Sequence, residues 1–347
     1  TLVMIPAKTM QKSNVLNNPH EYEIELECIA NKIPKLPKNI EERTILIRMM
    51  NNIAIILQSV QKSYYIISEI EKKNVIDEYK LLLGDYRFQG PMNVTLEKKH
   101  MLEKKYEDYQ NIVSIRKGYM VTDKADGERN LVIILKNGAI YLMNRKNIIK
   151  DIGATCKELA GSILDAEYIV KDIDDKNINL LMVFDIYFYK NEDVRKRILF
   201  RYKEEQKDNS IDTSRYELIT EAMEIMDNKL QKKRNNTLEI YKKKFYLGDD
   251  DDYNKDEEIV IAQKEKELLT MEYDSLLYNN LLEEIKELKC DTKIFMESRK
   301  IYFKKYMYKI DGLIYTPRNL FVGEEPNKNK KNMFNGRWFR SFKWKPP

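Results

Sequence analysis

The chain has 347 residues, of which 43% are hydrophobic and 34% are charged, and its formal net charge is +5. This composition can bury the core of one large domain or two ordinary ones, and it excludes a disordered chain. The modest charge favours a protein that handles phosphates in one cleft over one coated with nucleic acid. Cys28, Cys156 and Cys290 are far apart, which argues against a zinc motif or a disulfide framework and predicts a reducing compartment. No apolar run approaches the roughly 18 residues of a membrane span, so no membrane partner is expected.

The N-terminal region combines an acidic strand pattern with a helical one. Residues 21–27 alternate glutamate with other residues, so that period two places Glu23, Glu25 and Glu27 on one face of a predicted strand. From Glu41 to about Tyr79, apolar residues recur at three- and four-residue steps and predict a helix. We place a domain boundary near residue 80, which gives segments 1–79 and 80–347. Because the chain begins with Thr1, we expect it to be a piece of a longer protein.

The second segment reads as a series of strands interrupted by a charged stretch. Residues 191–245 read as helical and basic, 259–289 as a charged helix pair, and the acidic run 249–258 as a solvated loop. Together they predict a charged insertion at about 191–300. The fold class is therefore α+β, with antiparallel sheets and flanking helices. The predicted strands are 119–122, 130–135, 139–144, 162–170, 179–189, 307–315 and 340–345.

Lys124-Ala-Asp-Gly127 stands at the end of one predicted strand and leads into the next. A lysine in this place can face a cleft, and Gly127 lets the backbone approach a ligand closely. Lysine becomes a nucleophile when its ammonium loses a proton, which a neighbouring cation or partial burial favours. The same tetrapeptide also forms ordinary hairpin ends, so it does not establish a catalytic site by itself.

Further charged and aromatic residues follow at the ends of other strands. Each has an ordinary structural explanation: a turn arginine, a surface glutamate, a core phenylalanine, or the polar face of an edge strand. Their order nevertheless fits a ring of groups around one nucleotide. The candidates are Asp126, Arg129, Arg145, Glu167, Phe184, Lys309, Asp311, Lys343 and Lys345.

Six segments in this order resemble the covalent nucleotidyltransferase superfamily of capping guanylyltransferases and ATP-dependent ligases. Within it, the sequence is most similar to capping enzymes of large nucleocytoplasmic DNA viruses, of the mimivirus and African swine fever virus kind. The resemblance covers about residues 86–347 and implies a capping/ligase (ATP-grasp-like) nucleotidyltransferase domain, located in a cytoplasmic viral factory or the virion. The six segments are 124–129, 141–145, 164–168, 183–185, 310–314 and 342–346.

The resemblance implies a role for each candidate. Lys124 would attack the α-phosphate of GTP and form a lysine–GMP intermediate, which then caps the 5′ end of an RNA. Phe184 would stack on guanine, and Asp311 would lie near a divalent metal, Mg²⁺ or Mn²⁺. The remaining contacts would be Asp126 and Arg129 to lysine and nucleotide, Arg145 and Glu167 to phosphate and ribose, and Lys343 and Lys345 to the α-phosphate.

The resemblance also implies further domains. In these viral enzymes a metal-dependent RNA triphosphatase tunnel precedes the guanylyltransferase, and residues 22–27 resemble one of its last strands. Glu23, Glu25 and Glu27 would then be metal ligands, since several carboxylates suit a hard cation; an exposed acidic strand is the alternative. An OB-fold and a methyltransferase would follow Pro347. Without that OB-fold we expect the chain to hold a nucleotide but to form the adduct slowly or not at all.

Two other functions fit the same residues. An ATP-dependent RNA or DNA ligase shares the lysine motif and the two-lysine strand, although the acidic strand and the Trp344-Lys-Pro-Pro ending favour capping. A non-catalytic RNA-binding scaffold could keep the fold, but it has no need of Lys124 with its whole set of charged partners. The residues give no independent indication of guanine over adenine.

Overall fold

The computed structural model divides the chain into two compact units, residues 1–66 and 67–347. It describes residues 9, 12, 24–27, 42–102, 112–202, 212–248, 262–273, 275–290, 293–324 and 334–346. The acidic run 249–258 and Glu23 lie outside these residues.

In the first unit, the described part of the predicted acidic strand is not a strand. Ile24–Glu27 has no regular secondary structure, and Glu25 and Glu27 are exposed. A strand requires a neighbour that pairs its backbone groups, and alternation in sequence cannot supply one. Helix α1, Glu42–Gln61, follows, and Lys62 has a φ of 48° directly after it. The predicted helix 41–79 therefore ends here, and a second helix begins separately.

The second unit begins earlier than the predicted boundary at residue 80. Its first helix, α2, spans Glu69–Leu83, and Ser68 accepts a hydrogen bond from the Glu71 backbone in a capping box. Val75 and Tyr79 on this helix are fully buried in a cluster that includes Leu131 and Ile133. The boundary is corrected to residues 66/67, because α2 contributes to the core of the second unit.

Strands dominate the second unit, as predicted, and their bounds lie close to the sequence-based ones where a long apolar run marks them. None of the described helices has the length and apolar character needed to cross a membrane. The other helices are α3 (Arg215–Lys229), α4 (Leu276–Cys290) and α5 (Lys293–Phe303), and the strands are β1 (Met92–Thr95), β2 (Tyr119–Ala125), β3 (Glu128–Ile134), β4 (Ala139–Asn144), β5 (Ile149–Thr155), β6 (Ser162–Lys171), β7 (Asn177–Tyr189), β8 (Glu192–Asp193), β9 (Gln231–Lys232), β10 (Glu239–Lys242), β11 (Tyr246–Leu247), β12 (Ile310–Pro317) and β13 (Arg337–Trp344).

Two sheets organise these strands. One has five strands in the order β1-β13-β12-β2-β11, and the other has eight, with β10-β7-β6-β3-β4-β5-β9 in line and β8 paired to β7. Most neighbours are antiparallel, as predicted, whereas β1–β13 and β10–β7 are parallel. Lys124 ends β2 in the five-stranded sheet, and the next strand, β3, belongs to the eight-stranded one. The Lys-Ala-Asp-Gly segment therefore connects the two sheets.

Two described helices of the stretch predicted as a charged insertion, 191–300, contribute to the core. Helix α3 lies in it and buries Leu218, Ile219 and Ala222 against the eight-stranded sheet. Helix α5 buries Ile294 and Ile301 against the five-stranded sheet. Most charged residues of these helices are not buried, although Arg215 of α3 is, and the high charge explains why composition alone indicated an insertion.

Candidate active site

A cleft of about 850 Å³ lies between the two sheets. One wall comes from β2, β12 and β13, and the other from β3, β6, β7 and the turn after β4. The sequence-predicted residues that line it are Lys124, Gly127, Arg129, Arg145, Glu167, Phe184, Lys343 and Lys345. Residues far apart in sequence are thus brought to one cavity by the strand order.

Lys124, Asp311 and Lys345 form an ion cluster at the end of the five-stranded sheet. The Lys124 Nζ is 2.6 Å from Asp311 Oδ1, and the Lys345 Nζ is 2.7 Å from Asp311 Oδ2. Gly312 makes this approach possible, since a Cβ at that position would lie 2.0 Å from the Trp344 carbonyl oxygen. The candidate nucleophile is therefore held beside one carboxylate and a second ammonium.

This cluster sets the charge state of Asp311. Burial acts to raise the pKa of the Asp311 carboxyl, but the ammonium groups of Lys124 and Lys345 outweigh it and lower the pKa. Because the folded pKa is below the unfolded value of about 3.9, ionised Asp311 stabilises the fold above that pH, and the contribution is lost as the pH falls through the folded pKa.

We expect the Lys345→Ala variant to raise the Asp311 pKa towards its ordinary value, because one of the two stabilising cations is removed. Carboxyl carbon chemical shifts followed through an acid titration measure this directly. The Lys309→Ala variant is the control, since Lys309 pairs with Asp175 instead. An Asp311 pKa that is unchanged by Lys345→Ala would contradict the shared ion pair.

Arg129 lines the cleft, yet its guanidinium is largely engaged by the protein. Its Nε donates to Asp165 Oδ1 at 2.9 Å and its Nη2 to Asp165 Oδ2 at 2.5 Å, while Nη1 donates to the Pro91 carbonyl at 2.8 Å. Asp165 is fully buried and also accepts from the Tyr187 hydroxyl. A bidentate, buried pair of this kind fixes geometry. Arg129 thus anchors the cleft wall.

Arg145 and Lys343 have no ion-pair partner among the described residues, although both line the cleft. Partial burial and the nearby Arg129 lower the pKa of Arg145. Glu167 faces them, and burial raises the pKa of its carboxyl against the opposing effect of Lys243 and Lys124. These groups offer cations and a carboxylate to a ligand that carries phosphates and hydroxyls.

Phe184 provides the aromatic surface of the cleft. Its ring centroid lies 5.4 Å from the Arg129 Cζ, in a cation–π contact. Directly after it, Asp185 is bound by Arg215, whose Nε is 2.7 Å from Asp185 Oδ1. Arg215 is fully buried. The phenylalanine therefore lies between two buried arginine–aspartate pairs that fix its position.

Two candidates, Lys309 and Asp126, do not line the cleft. A third, Gly127, is explained by close packing against a neighbouring strand. Lys309 pairs with Asp175 at 2.8 Å on an exposed surface, and exposed Asp126 does not line the cleft. The second Lys-x-Asp-Gly therefore places only its aspartate, Asp311, in the site. Gly127 lies against β6, where a Cβ would be 2.7 Å from the Tyr168 carbonyl oxygen. Among the residues the structure describes, no three metal-ligating side chains come together, Glu25 and Glu27 included.

Sequence reasoning missed a buried group in the cleft wall. The Lys243 Nζ donates to the Asp123 carbonyl at 2.8 Å and to Asp123 Oδ2 at 3.1 Å, and Tyr308 donates to the same carboxylate oxygen at 3.1 Å. Lys243 is only 4% exposed and lines the cleft. Lys243 was hard to single out in the sequence, because it is the middle one of three consecutive lysines, Lys242–Lys244, in a stretch that was predicted to be helical.

With this geometry in place, comparison with known proteins identifies the class. A match to the family described as mRNA capping enzyme, catalytic domain, spans residues 57–295. The chain belongs to this family, which confirms the predicted resemblance to capping enzymes. The matched range contains Lys124, Arg129, Arg145, Glu167 and Phe184, whereas Asp311, Lys343 and Lys345 lie beyond it.

A curated relative points in the same direction. The chain is 30% identical over 179 residues to the probable mRNA-capping enzyme of Acanthamoeba polyphaga mimivirus. The aligned part is 51% of this chain but 13% of the mimivirus protein. The predicted similarity to viral capping enzymes is therefore confirmed, for a chain that spans a small part of that relative.

Proposed function

We propose that this chain carries GMP on Lys124 and transfers it from GTP to the 5′-diphosphate end of RNA. The observation that carries the proposal is the pair Lys124 and Lys345, which share Asp311 and line the cleft together with Phe184, Arg145 and Glu167. A nucleophile, phosphate-binding cations and an aromatic surface together suit nucleotidyl transfer.

In the first step, the Lys124 Nζ loses a proton and attacks the α-phosphorus of GTP. A nitrogen–phosphorus bond forms, the bond to the bridging oxygen breaks, and pyrophosphate leaves. Asp311 holds the resting Lys124 ammonium in place, and Lys345 shares the same carboxylate. In the second step, an oxygen of the RNA 5′-diphosphate attacks the same phosphorus, and the lysine nitrogen leaves.

The other cleft residues position the nucleotide. Phe184 stacks on the base, Glu167 accepts from ribose hydroxyls, and Arg145 and Lys343 neutralise phosphate charge. Arg145 and Lys343 suit this role because no described residue already pairs with them. Transfer of a phosphoryl-type group depends above all on such positioning and charge neutralisation.

A divalent cation, Mg²⁺ or Mn²⁺, fits the same site. Mg²⁺ is commonly held by one or two carboxylates together with substrate phosphates, and Asp311 supplies a carboxylate 2.6 Å from the Lys124 Nζ. The bound cation would add charge neutralisation at the phosphates.

We expect the chain to acquire label from GTP with Mg²⁺, and to acquire none from ATP. Incubation with each α-labelled nucleotide, followed by denaturing gel electrophoresis, measures the covalent adduct. Label from ATP in place of GTP would identify a polynucleotide ligase. Label from neither, also in a longer chain that includes the expected OB-fold, would favour the scaffold. The predicted triphosphatase, OB-fold and methyltransferase partners, and the viral-factory or virion location, remain proposals.

A further inference from the structure

A basic and aromatic surface lies at the same end of the five-stranded sheet as Lys124. Residues 299–309 comprise the end of α5 and its connection to β12, and they contain no acidic residue. We call them the basic-aromatic segment. Its cations are Arg299, Lys300, Lys304, Lys305 and Lys309, and its aromatic residues are Tyr302, Phe303, Tyr306 and Tyr308.

Part of this segment is anchored and part is presented to solvent. Tyr302 stacks edge-on against Trp344 with ring centroids 5.3 Å apart, and Tyr308 is buried. In contrast, Phe303 is 80% exposed although it packs edge-on against Tyr302 at 5.3 Å. A fixed tyrosine therefore holds an exposed phenylalanine ring in place at the end of a helix.

The exposed cations of the segment are available to an anion. Lys304 lies over the Tyr306 ring at 5.6 Å, and neither Lys304 nor Lys305 has an ion pair with another described residue. Lys300 and Lys309 do have carboxylate partners, Glu297 and Asp175. These two lysines, which have no ion-pair partner in the described part of the chain, directly follow Phe303 in sequence and give the surface positive charge.

The segment also leads directly into the catalytic cluster. Asp311 follows Lys305 by six positions in sequence, so their Cα atoms are at most about 22 Å apart. Trp344, which anchors Tyr302, ends β13 and alternates with the cleft-lining Lys343, so it faces the α5 side of the sheet. The last residue of the segment nevertheless lies beside the lysine motif, since the Asp126 N–H donates to the Lys309 carbonyl at 2.9 Å. A polyanion whose end reaches Lys124 can therefore extend around this end of the sheet onto the segment.

We propose that the basic-aromatic segment binds the single-stranded part of the acceptor RNA behind its 5′ end, with a base stacked on Phe303 and phosphates at Lys304 and Lys305. Aromatic stacking combined with a cationic surface is the usual basis of sequence-tolerant single-strand binding. A protein partner fits less well, since lysine is depleted at protein–protein interface cores. The inference rests on the proposed function, because it supplies that reaction with its second substrate.

The test measures two quantities on the same variants of the full chain: binding of a short single-stranded RNA with a 5′-diphosphate, by fluorescence anisotropy, and adduct yield from GTP. We expect Lys304→Glu with Lys305→Glu to weaken RNA binding about tenfold or more and to lower the salt slope by about 1.4, or about 0.7 for each lost cation. Phe303→Ala should weaken binding about tenfold, and Phe303→Tyr should restore it. Adduct yield should not change in any of them.

The matched control reverses the charge of two exposed lysines at the far end of β3, in the double variant Lys136→Glu with Lys157→Glu. This control should leave RNA affinity unaltered. Equal loss in control and test variants, or unchanged binding in both test variants, would overturn the inference. Absence of adduct from the wild-type chain, with RNA binding still lost in the test variants, would instead overturn the proposed function alone.

Discussion

Replacing Lys124 with Ala should abolish the covalent GMP adduct, with a loss of roughly 10³-fold or more, because no other group takes over the attack on phosphorus. The fold should survive, since the Lys124 side chain is partly exposed and its pairing with Asp311 leaves Lys345 on the same carboxylate. Adduct yield and thermal unfolding of the same preparation measure both effects.

Lys309→Ala is the matched control for this prediction. Lys309 opens the second Lys-x-Asp-Gly of the chain, yet its ammonium pairs with Asp175 at the surface. We expect the control to retain adduct formation. Loss of the adduct in Lys309→Ala, together with its retention in Lys124→Ala, would show that the nucleophile is Lys309 and would contradict the prediction.

Replacing Arg215 with Met should destabilise the second unit by about 3–5 kcal/mol, because Asp185 would remain buried without its cation. Arg215 is fully buried, and its Nη2 also lies 3.2 Å from Asp185 Oδ2, which makes the pair bidentate. Urea unfolding at neutral pH measures the change. Since Asp185 follows Phe184, we also expect weaker nucleotide binding.

The double replacement Arg215→Met with Asp185→Leu should recover most of the lost stability, because both charges leave the core together. Arg234→Met, at an exposed position, should change the stability by less than about 0.5 kcal/mol. A loss in Arg215→Met no larger than in this control would show that Asp185 has no need of the pair.

Much of the fold followed from local pattern. The predicted strand 139–144 coincides with β4, and 179–189 falls within β7, whose long apolar run marks a strand buried on both faces. Short strands such as β10 were missed because four residues carry little periodicity, and their pairing with distant strands is decided by tertiary packing. Glu25 shows the converse, since it lies in a segment with strand-like alternation that does not form a strand.

The site could be predicted as a set of residues but not as a network. Motif order grouped Lys124, Arg145, Glu167 and Phe184, and these four residues line one cleft. It could not show that Asp165 binds most of the Arg129 guanidinium, because that contact depends on strand register. The register pairs Arg129 with Glu167, and Asp165 lies two residues away on the same face of β6. Nor could motif order separate Lys309 from the cleft, since both Lys-x-Asp-Gly motifs look alike in sequence.

The most direct test of the central claim is mass spectrometry of the chain after reaction with GTP and Mg²⁺ and digestion under conditions that preserve the phosphoramidate. We predict that one peptide, the one containing Lys124, gains the mass of a single GMP. The fragment ions should place that mass on the Lys124 side chain. GMP on Lys243, Lys309, Lys343 or Lys345, with Lys124 unmodified, would contradict the account.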